Sequence, residues 1–477
     1  MTNPSHYIDG AWVAAKTTLP VVNPSDGQTI GQIGRGGADE IDAAVRAGHA
    51  ALDGEWGRLD AASRGRLLLR LADLIRRDVE KFAKLESEDV GKPLAQARAD
   101  ANVMARYFEY YGGAADKVHG ETIPFQTGFA ALTFYEPHGV TGHIVPWNYP
   151  MQMMGRSVAP ALAMGNAIVL KPAEDTSLTA LALAALTAEA GFPKGVFNVV
   201  TGLGEEAGAA LTAHPGIGHV SFTGSREVGT LVQQAAAKNV IPVTLELGGK
   251  SPQIVFADAD FADAASTIVR GITQNAGQTC SAGSRVLIEE KIYDEFAGEL
   301  AKRFKATRVG AGSQDLDLGP VVNATQKKRI ESYLDLARKD GLKILAEGEF
   351  GTNLPPNGFY VKPTLIGDVP PGHRLEQEEI FGPVLVAIRV KDEDEAVRIA
   401  NDTQYGLAAG VWTSDLGRGL RLARKVKSGQ VFVNNYGAGG GVELPFGGMK
   451  ASGHGREKGF EALYGFGALK TVTIKHG

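Results

Sequence analysis

From Val140 onward the chain alternates short apolar runs with longer helical ones, and this alternation limits the fold more than any other feature. Residues 141–145, 167–170, 196–200, 219–222 and 243–245 have the length and apolar content of buried strands. Between them, 151–164, 177–190, 205–213 and 226–237 read as helices. Parallel strands need a crossover of about a dozen residues, which a helix supplies. The pattern therefore predicts an α/β fold of βαβ units around a buried parallel sheet. Gly191, with Pro193 two residues on, is a good stop for one of these helices.

A second alternating region runs from about 251 to 448, with strands at 252–256, 285–289, 383–389 and 430–433. Ahead of the first region the reading is largely helical, over 38–52, 61–86 and 95–115. In 61–86, Leu67, Leu71, Leu74, Ile75, Val79 and Phe82 share one face. Residues 118–138 are irregular and β-like, and 468–475 alternate β-branched with polar residues. A terminal strand of that kind has an open edge that calls for another element or another subunit. A chain of 477 residues is too long for one core and predicts two or three packed units.

The net charge of −5 gives no reason to expect nucleic acid or a membrane surface as partner. The first residues lack a basic segment leading into an apolar one, so no secretory signal is expected. The most apolar helix, 178–190, is too short and too polar, with Thr179, Thr187 and Glu189, to span a bilayer. Sparse cysteine suits a reducing compartment, and the reading is of a cytoplasmic protein with no metal site.

Cys280 is the only cysteine. It cannot form an intrachain disulfide, so it is inert core packing, a chance survivor or a nucleophile. Its neighbours from Gln274 to Gly283 are small or polar, which fits a loop that lets a substrate approach closely.

Several strand ends point toward a common cleft, where helix N-termini meet anions. Phe222-Thr223-Gly224-Ser225 ends a strand and opens a helix. It is either an ordinary turn with Ser225 as cap or a seat for a pyrophosphate. Another strand ends in Lys171-Pro172-Ala173-Glu174, where Lys171 and Glu174 can both bond ribose hydroxyls. In Pro146-Trp147-Asn148-Tyr149-Pro150 two prolines stiffen a loop that presents the Asn148 amide. Glu246 lies between two leucines before Gly248-Gly249-Lys250. It either caps the next element or, with its pKa raised by apolar surroundings, serves as a base.

Together with Gly277-Gln278-Thr279-Cys280, Glu379-Ile380-Phe381-Gly382-Pro383 and Leu444-Pro445-Phe446-Gly447-Gly448, these motifs occur in a telling order. The chain resembles the NAD(P)-dependent aldehyde dehydrogenase superfamily, in its hydrolytic, non-acylating form, over essentially its whole length. The resemblance implies two Rossmann-like parallel-sheet domains and a small β oligomerisation element. It places the cofactor-binding domain at 1–117 and 139–248 and the catalytic domain at 249–448. The oligomerisation element falls at 118–138 and 464–477, in a homodimer or homotetramer.

The resemblance makes Cys280 the nucleophile, Asn148 an oxyanion donor and Glu246 the base that activates water. It assigns Trp147, Lys171, Glu174, Gly224, Ser225, Glu379 and Phe381 to the cofactor. Glu174 would accept from a 2′-hydroxyl and repel a 2′-phosphate, so NAD is expected over NADP. Tyr149, Met153, Arg156, Gln274, Gly440 and Phe446 are implied around the substrate tunnel. Gly439-Gly440-Gly441 and Gln274 should make it wide and wet. Arg156 stands where several semialdehyde dehydrogenases carry a carboxylate-binding arginine; the alternative is a structural ion pair. A second basic partner found near position 274 in some of those enzymes is replaced by Gln274. The expected reaction is oxidation of an aldehyde, carboxylated or uncharged, to its acid. Coenzyme A acylation and a non-catalytic role are the alternatives; retention of Glu246 argues against the first, and intact Cys280, Asn148 and Glu246 argue against the second. A cationic aldehyde is disfavoured by Arg156.

Overall fold

The computed structural model describes residues 5–437 and 441–477. Its first sheet runs, in spatial order, Ala11–Ala14, Ser5–Ile8, Phe197–Val199, Ala167–Pro172, Val140–Val145, His219–Thr223, Val243–Glu246 and Gly453–His454. The five strands from Phe197–Val199 to Val243–Glu246 are parallel, and the outer ones antiparallel. Successive side chains go to opposite faces: Ile168 and Leu170 pack with Leu68, Phe108 and Met154, while Ala167 and Val169 pack with Ile41, Val45 and Leu211. Helices cover both faces, so these strands read as unbroken apolar runs instead of alternating ones.

Sequence order reverses direction across this sheet between Val140–Val145 and His219–Thr223. A crevice opens outside the carboxyl ends of the strands at such a reversal. Pro146-Trp147-Asn148 and Gly224-Ser225 are the residues that emerge there.

The second sheet runs Lys343–Glu347, Thr364–Gly367, Val384–Val390, Arg285–Glu289, Pro252–Val255, Ala408–Trp412 and Gln430–Val433. Only Lys343–Glu347 is antiparallel to its neighbour. It too is covered on both faces, by clusters around Leu287 and Ile330 and around Val286 and Phe296. The terminal strand Gly467–Lys475 pairs along its whole length with Phe129–Pro137, from Gly467 opposite Pro137 to Lys475 opposite Phe129. Thr122–Ile123 lies on the other side of Phe129–Pro137. One edge of the terminal strand is thus satisfied within the chain.

Three local readings are corrected. The helix expected over 61–86 is two, Ala61–Arg77 and Val79–Val90, divided at Asp78 with φ −101° and ψ 18°. Asp is a poor helix-interior residue, and the Asp78 carboxylate is engaged by the Arg77 guanidinium at the break. The apolar face survives the break, because Leu71, Ile75 and Phe82 all remain buried. The helix expected over 205–213 begins as a wider π turn, Gly204–Gly208, before Ala209–Ala213. The N-terminal region also holds hairpin strands that the helical reading missed. Ser5–Ile8 and Ala11–Ala14 pair across Asp9-Gly10, whose φ angles of 51° and 72° suit an Asp-Gly turn. Among the described residues no helix is long and apolar enough to cross a membrane.

Candidate active site

Cys280 is half-buried and forms part of the wall of two cavities. The first, of about 320 Å³, is also lined by Trp147, Asn148, Gly224, Ser225, Glu246, Glu379 and Phe381. The second, of about 450 Å³, is lined by Tyr149, Met153, Arg156, Gln274 and Phe446. Residues expected at the cofactor and those expected at the substrate thus separate onto two sides of one thiol. Lys171 and Glu174 do not line the first cavity; they bond each other at 2.9 Å at the end of the adjacent strand. Gly440 lies outside the described residues.

The two sheets face the site differently. Asn148, Gly224 and Glu246 come from the carboxyl ends of the first sheet's strands. Cys280 and Glu379 precede the strands Arg285–Glu289 and Val384–Val390, so the second sheet contributes amino ends. The general rule for carboxyl ends accounts for only half of this cleft.

The loop before Cys280 is held under backbone strain. Asn275, Ala276 and Gly277 have φ of 49°, 52° and 74°, three consecutive left-handed residues. Hydrogen bonds hold the loop: Asn148 Nδ2 donates to the Gln278 carbonyl at 2.9 Å, and Asn275 Nδ2 to the Asn148 carbonyl at 2.8 Å. Tyr149 and Thr279 hydroxyls bond at 2.9 Å, and the Val322 N–H donates to Gln278 Oε1 at 2.9 Å. Pro150 then starts the helix Pro150–Ala163 at its first turn, where no N–H is missed. Asn148 and the nucleophile loop are therefore one fixed unit.

Enclosure by the protein pushes the Cys280 thiol up to about 11; Arg156 works the other way, and Glu246 and Glu379 add to the rise. The resting group is a thiol at neutrality, and a base must take its proton. Glu246 is 1% exposed, and neither of its carboxylate oxygens has a hydrogen-bond partner among the described residues. Burial holds its pKa well above the ordinary range, against the pull of Arg156, whose Nη2 lies 3.9 Å away. A carboxylate in this state takes up a proton readily. Glu379 is likewise pushed by burial to about 7, while its Oε1 accepts from the Gly249 N–H at 2.8 Å. A Cβ on Gly248 would stand 2.3 Å from the Glu379 carboxylate, so glycine is required for that approach.

Ser225 plays the modest role that its motif allows: its hydroxyl caps the helix Arg226–Ala237 by accepting from the Val228 N–H at 3.3 Å. It also lines the first cavity, where that helix N-terminus opens. Trp147 and Phe381 meet edge to face with ring centroids 5.3 Å apart. Phe381 has φ of 62°, and its carbonyl accepts from Gln326 Nε2 at 2.6 Å.

Arg156 is 4% exposed and has an acidic neighbour. Its Nε donates to Glu457, which also accepts from Ser221 Oγ at 3.0 Å, and its guanidinium lies 4.6 Å from the Phe446 ring centroid. Glu457 and Lys458 were missed in the sequence, because Gly455-Arg456-Glu457-Lys458-Gly459 has the composition of a solvated turn. In the structure both are buried. Arg270, which precedes Gln274 by one helical turn, also lines the second cavity.

The arrangement provides a thiol, a buried carboxylate and an amide donor, with two cavities that share Cys280 in their walls. The comparisons agree with it. The family model for the aldehyde dehydrogenase family matches residues 12–472. A mitochondrial aldehyde dehydrogenase of Equus caballus is 44% identical, with 98% of this chain and 94% of that protein covered. A crystal structure from Burkholderia cenocepacia, assigned as an aldehyde dehydrogenase, superposes with a TM-score of 0.99 at 60% identity, covering 99% of this chain and 100% of that one. The NAD+ complex of an aldehyde dehydrogenase from Bacillus cereus gives 0.96 at 40% identity, over 100% and 97% of the two chains. With its motifs, its paired parallel sheets and matches over nearly its full length, this chain belongs to the aldehyde dehydrogenase family.

Proposed function

We propose that the protein oxidises an aldehyde to its carboxylic acid with NAD, through a thioester on Cys280. The observation that carries this is the position of Cys280 between two cavities, with the Glu246 carboxylate, free of hydrogen bonds among the described residues, in the wall of the first. Cys280 passes its proton to the Glu246 carboxylate, which releases it to solvent, and the thiolate attacks the carbonyl carbon while the Asn148 amide, already fixed to the nucleophile loop, stabilises the developing oxyanion. The first cavity fits a dinucleotide. A helix N-terminus for the pyrophosphate opens into it at Ser225, and Glu379, Trp147 and Phe381, in the same lining, would flank the nicotinamide end. NAD, when bound there, supplies the hydride acceptor. Glu246 then takes a proton from water, which hydrolyses the thioester.

Glu174 supports NAD over NADP, since its carboxylate, held by Lys171, would repel a 2′-phosphate. The two doubly covered sheets and the antiparallel one support a cofactor-binding domain at 1–117 and 139–248 and a catalytic domain at 249–448. By the same reading, 118–138 with 464–477 form an oligomerisation element. Leu469 and Ile474, exposed on the terminal strand, fit a homodimer or homotetramer, and the single thiol fits a reducing cytoplasm.

The test is Glu246→Gln under rapid mixing. A first burst of reduced NAD should persist in part but form more slowly, while steady-state turnover falls ~10²–10⁴-fold, the usual worth of a general base. Wild-type turnover should rise with pH as Glu246 deprotonates, and the variant should lose that limb. An unchanged steady-state rate in Glu246→Gln would remove the assigned role.

A further inference from the structure

The second cavity contains a cation without a counter-ion. Lys458 is 8% exposed and lines this cavity together with Cys280. Its ammonium makes no hydrogen bond or ion pair with any described residue; its one close neighbour of note is the Phe446 ring, 5.6 Å to the centroid. The residue is largely enclosed but its ammonium opens to the cavity, where an anion that enters can become its partner.

The nearby acids are all engaged elsewhere. Glu457 is held by Arg156 and Ser221, and Glu443 by Arg106 at 2.6 Å. Asp100, the one carboxylate in the cavity wall, is bound by Lys92 and by Gln152 at 2.6 Å. Arg156 has its charge balanced by Glu457, with Glu246 beyond it. Arg270 lies on the wall with no ion pair among the described residues. The second cavity therefore has a surplus of positive charge, and Lys458 is its most deeply buried uncompensated part.

The position is built rigidly. Lys458 has φ of 62°, a strained conformation for a residue with a side chain. Glu457 beside it is tied to Phe446 by two backbone hydrogen bonds, of 2.6 and 2.8 Å. These bonds hold the lysine stem against the Phe446 side of the cavity. The groups that face its ammonium are Arg156, Cys280, Glu443 and Glu457; burial foremost, helped by Arg156, lowers its pKa to about 8, so it still carries charge at neutrality.

We infer that Lys458 is the specificity-determining residue of this site and selects aldehydes bearing a distal carboxylate, the semialdehydes of dicarboxylic acids. The inference rests on the dehydrogenase reading above and moves substrate recognition from Arg156 to Lys458. Arg156 has its charge balanced by Glu457, although its Nη2 makes no hydrogen bond with any described residue, whereas Lys458 has no acid bonded to it and gains a partner only when an anionic substrate enters.

The experiment compares kcat/KM for 4-oxobutanoate and butanal, with NAD, in wild type, Lys458→Met and Lys458→Arg. Wild type should favour the carboxylated substrate by tenfold or more. Lys458→Met should bring the ratio close to one, chiefly through KM, and Lys458→Arg should restore most of the preference. An equal ratio in wild type and Lys458→Met, or a wild type that favours butanal, overturns the inference and leaves the dehydrogenase reading standing. No oxidation of either aldehyde by wild type would instead sink that reading. If Lys458→Met fails to fold, inhibition of wild type by butyrate and butyramide decides. Stronger inhibition by butyrate supports the inference, and equal inhibition refutes it.

Discussion

Gly277→Ala puts the strained nucleophile loop to a direct test. Gly277 has φ of 74°, so alanine there costs about 1–2 kcal/mol before any contact is considered. The added Cβ would stand 2.2 Å from both the carbon and the oxygen of Gly382 and 2.4 Å from Pro383 N, more than an ångström inside ordinary contact. All three atoms are backbone, and no rotamer change relieves the overlap. One loop must retreat by about an ångström: either the one that carries Cys280 or the one that carries Glu379 and Phe381. A misplacement of that size costs ~10² in rate when the reacting groups are otherwise positioned. We expect NAD-dependent aldehyde oxidation to fall about a hundredfold in kcat/KM, with the protein folded and destabilised by roughly 1–3 kcal/mol. The assay is steady-state kinetics together with chemical denaturation on the same preparation. Activity within threefold of wild type, with unchanged stability, would refute the claim that glycine is required where these loops cross.

Two further outcomes are expected. Arg156→Met leaves Glu457 buried without its cation, which should cost about 3–5 kcal/mol in denaturant unfolding; a loss under 1 kcal/mol would show that the pair is dispensable. Glu174→Ala removes the carboxylate proposed to repel a 2′-phosphate, so the ratio of kcat/KM for NAD over NADP should fall at least tenfold; an unchanged ratio would move cofactor choice elsewhere.

The parallel sheets were legible because a doubly covered strand is apolar on both faces, and short runs such as 167–170 stand out between helices. The Asp9-Gly10 hairpin was equally available from its turn signal and was passed over in a region read for helical spacing. Asp78 shows the limit of that spacing: both helices keep the same buried face, so periodicity carries no mark of the break between them. In the site, Cys280, Asn148, Glu246 and Glu379 lie in distinctive local motifs, and the structure brings all four to one cavity. Lys171 and Glu174, read from the same kind of motif, pair beside that cavity instead of in its wall. Lys458 could not be read at all. Its role depends on which acids are already engaged by Arg156, Arg106 and Lys92, and those pairings join positions up to 337 residues apart.

The shared position of Cys280 also bears on how the enzyme can be poisoned. With cofactor and aldehyde seated as proposed, an electrophile has two cavities through which to reach Cys280, and either reactant guards only one. Full protection against alkylation would require both occupants at once. A single adduct on the sulfur, by contrast, obstructs both routes together, so one covalent event abolishes turnover whichever entrance the reagent used.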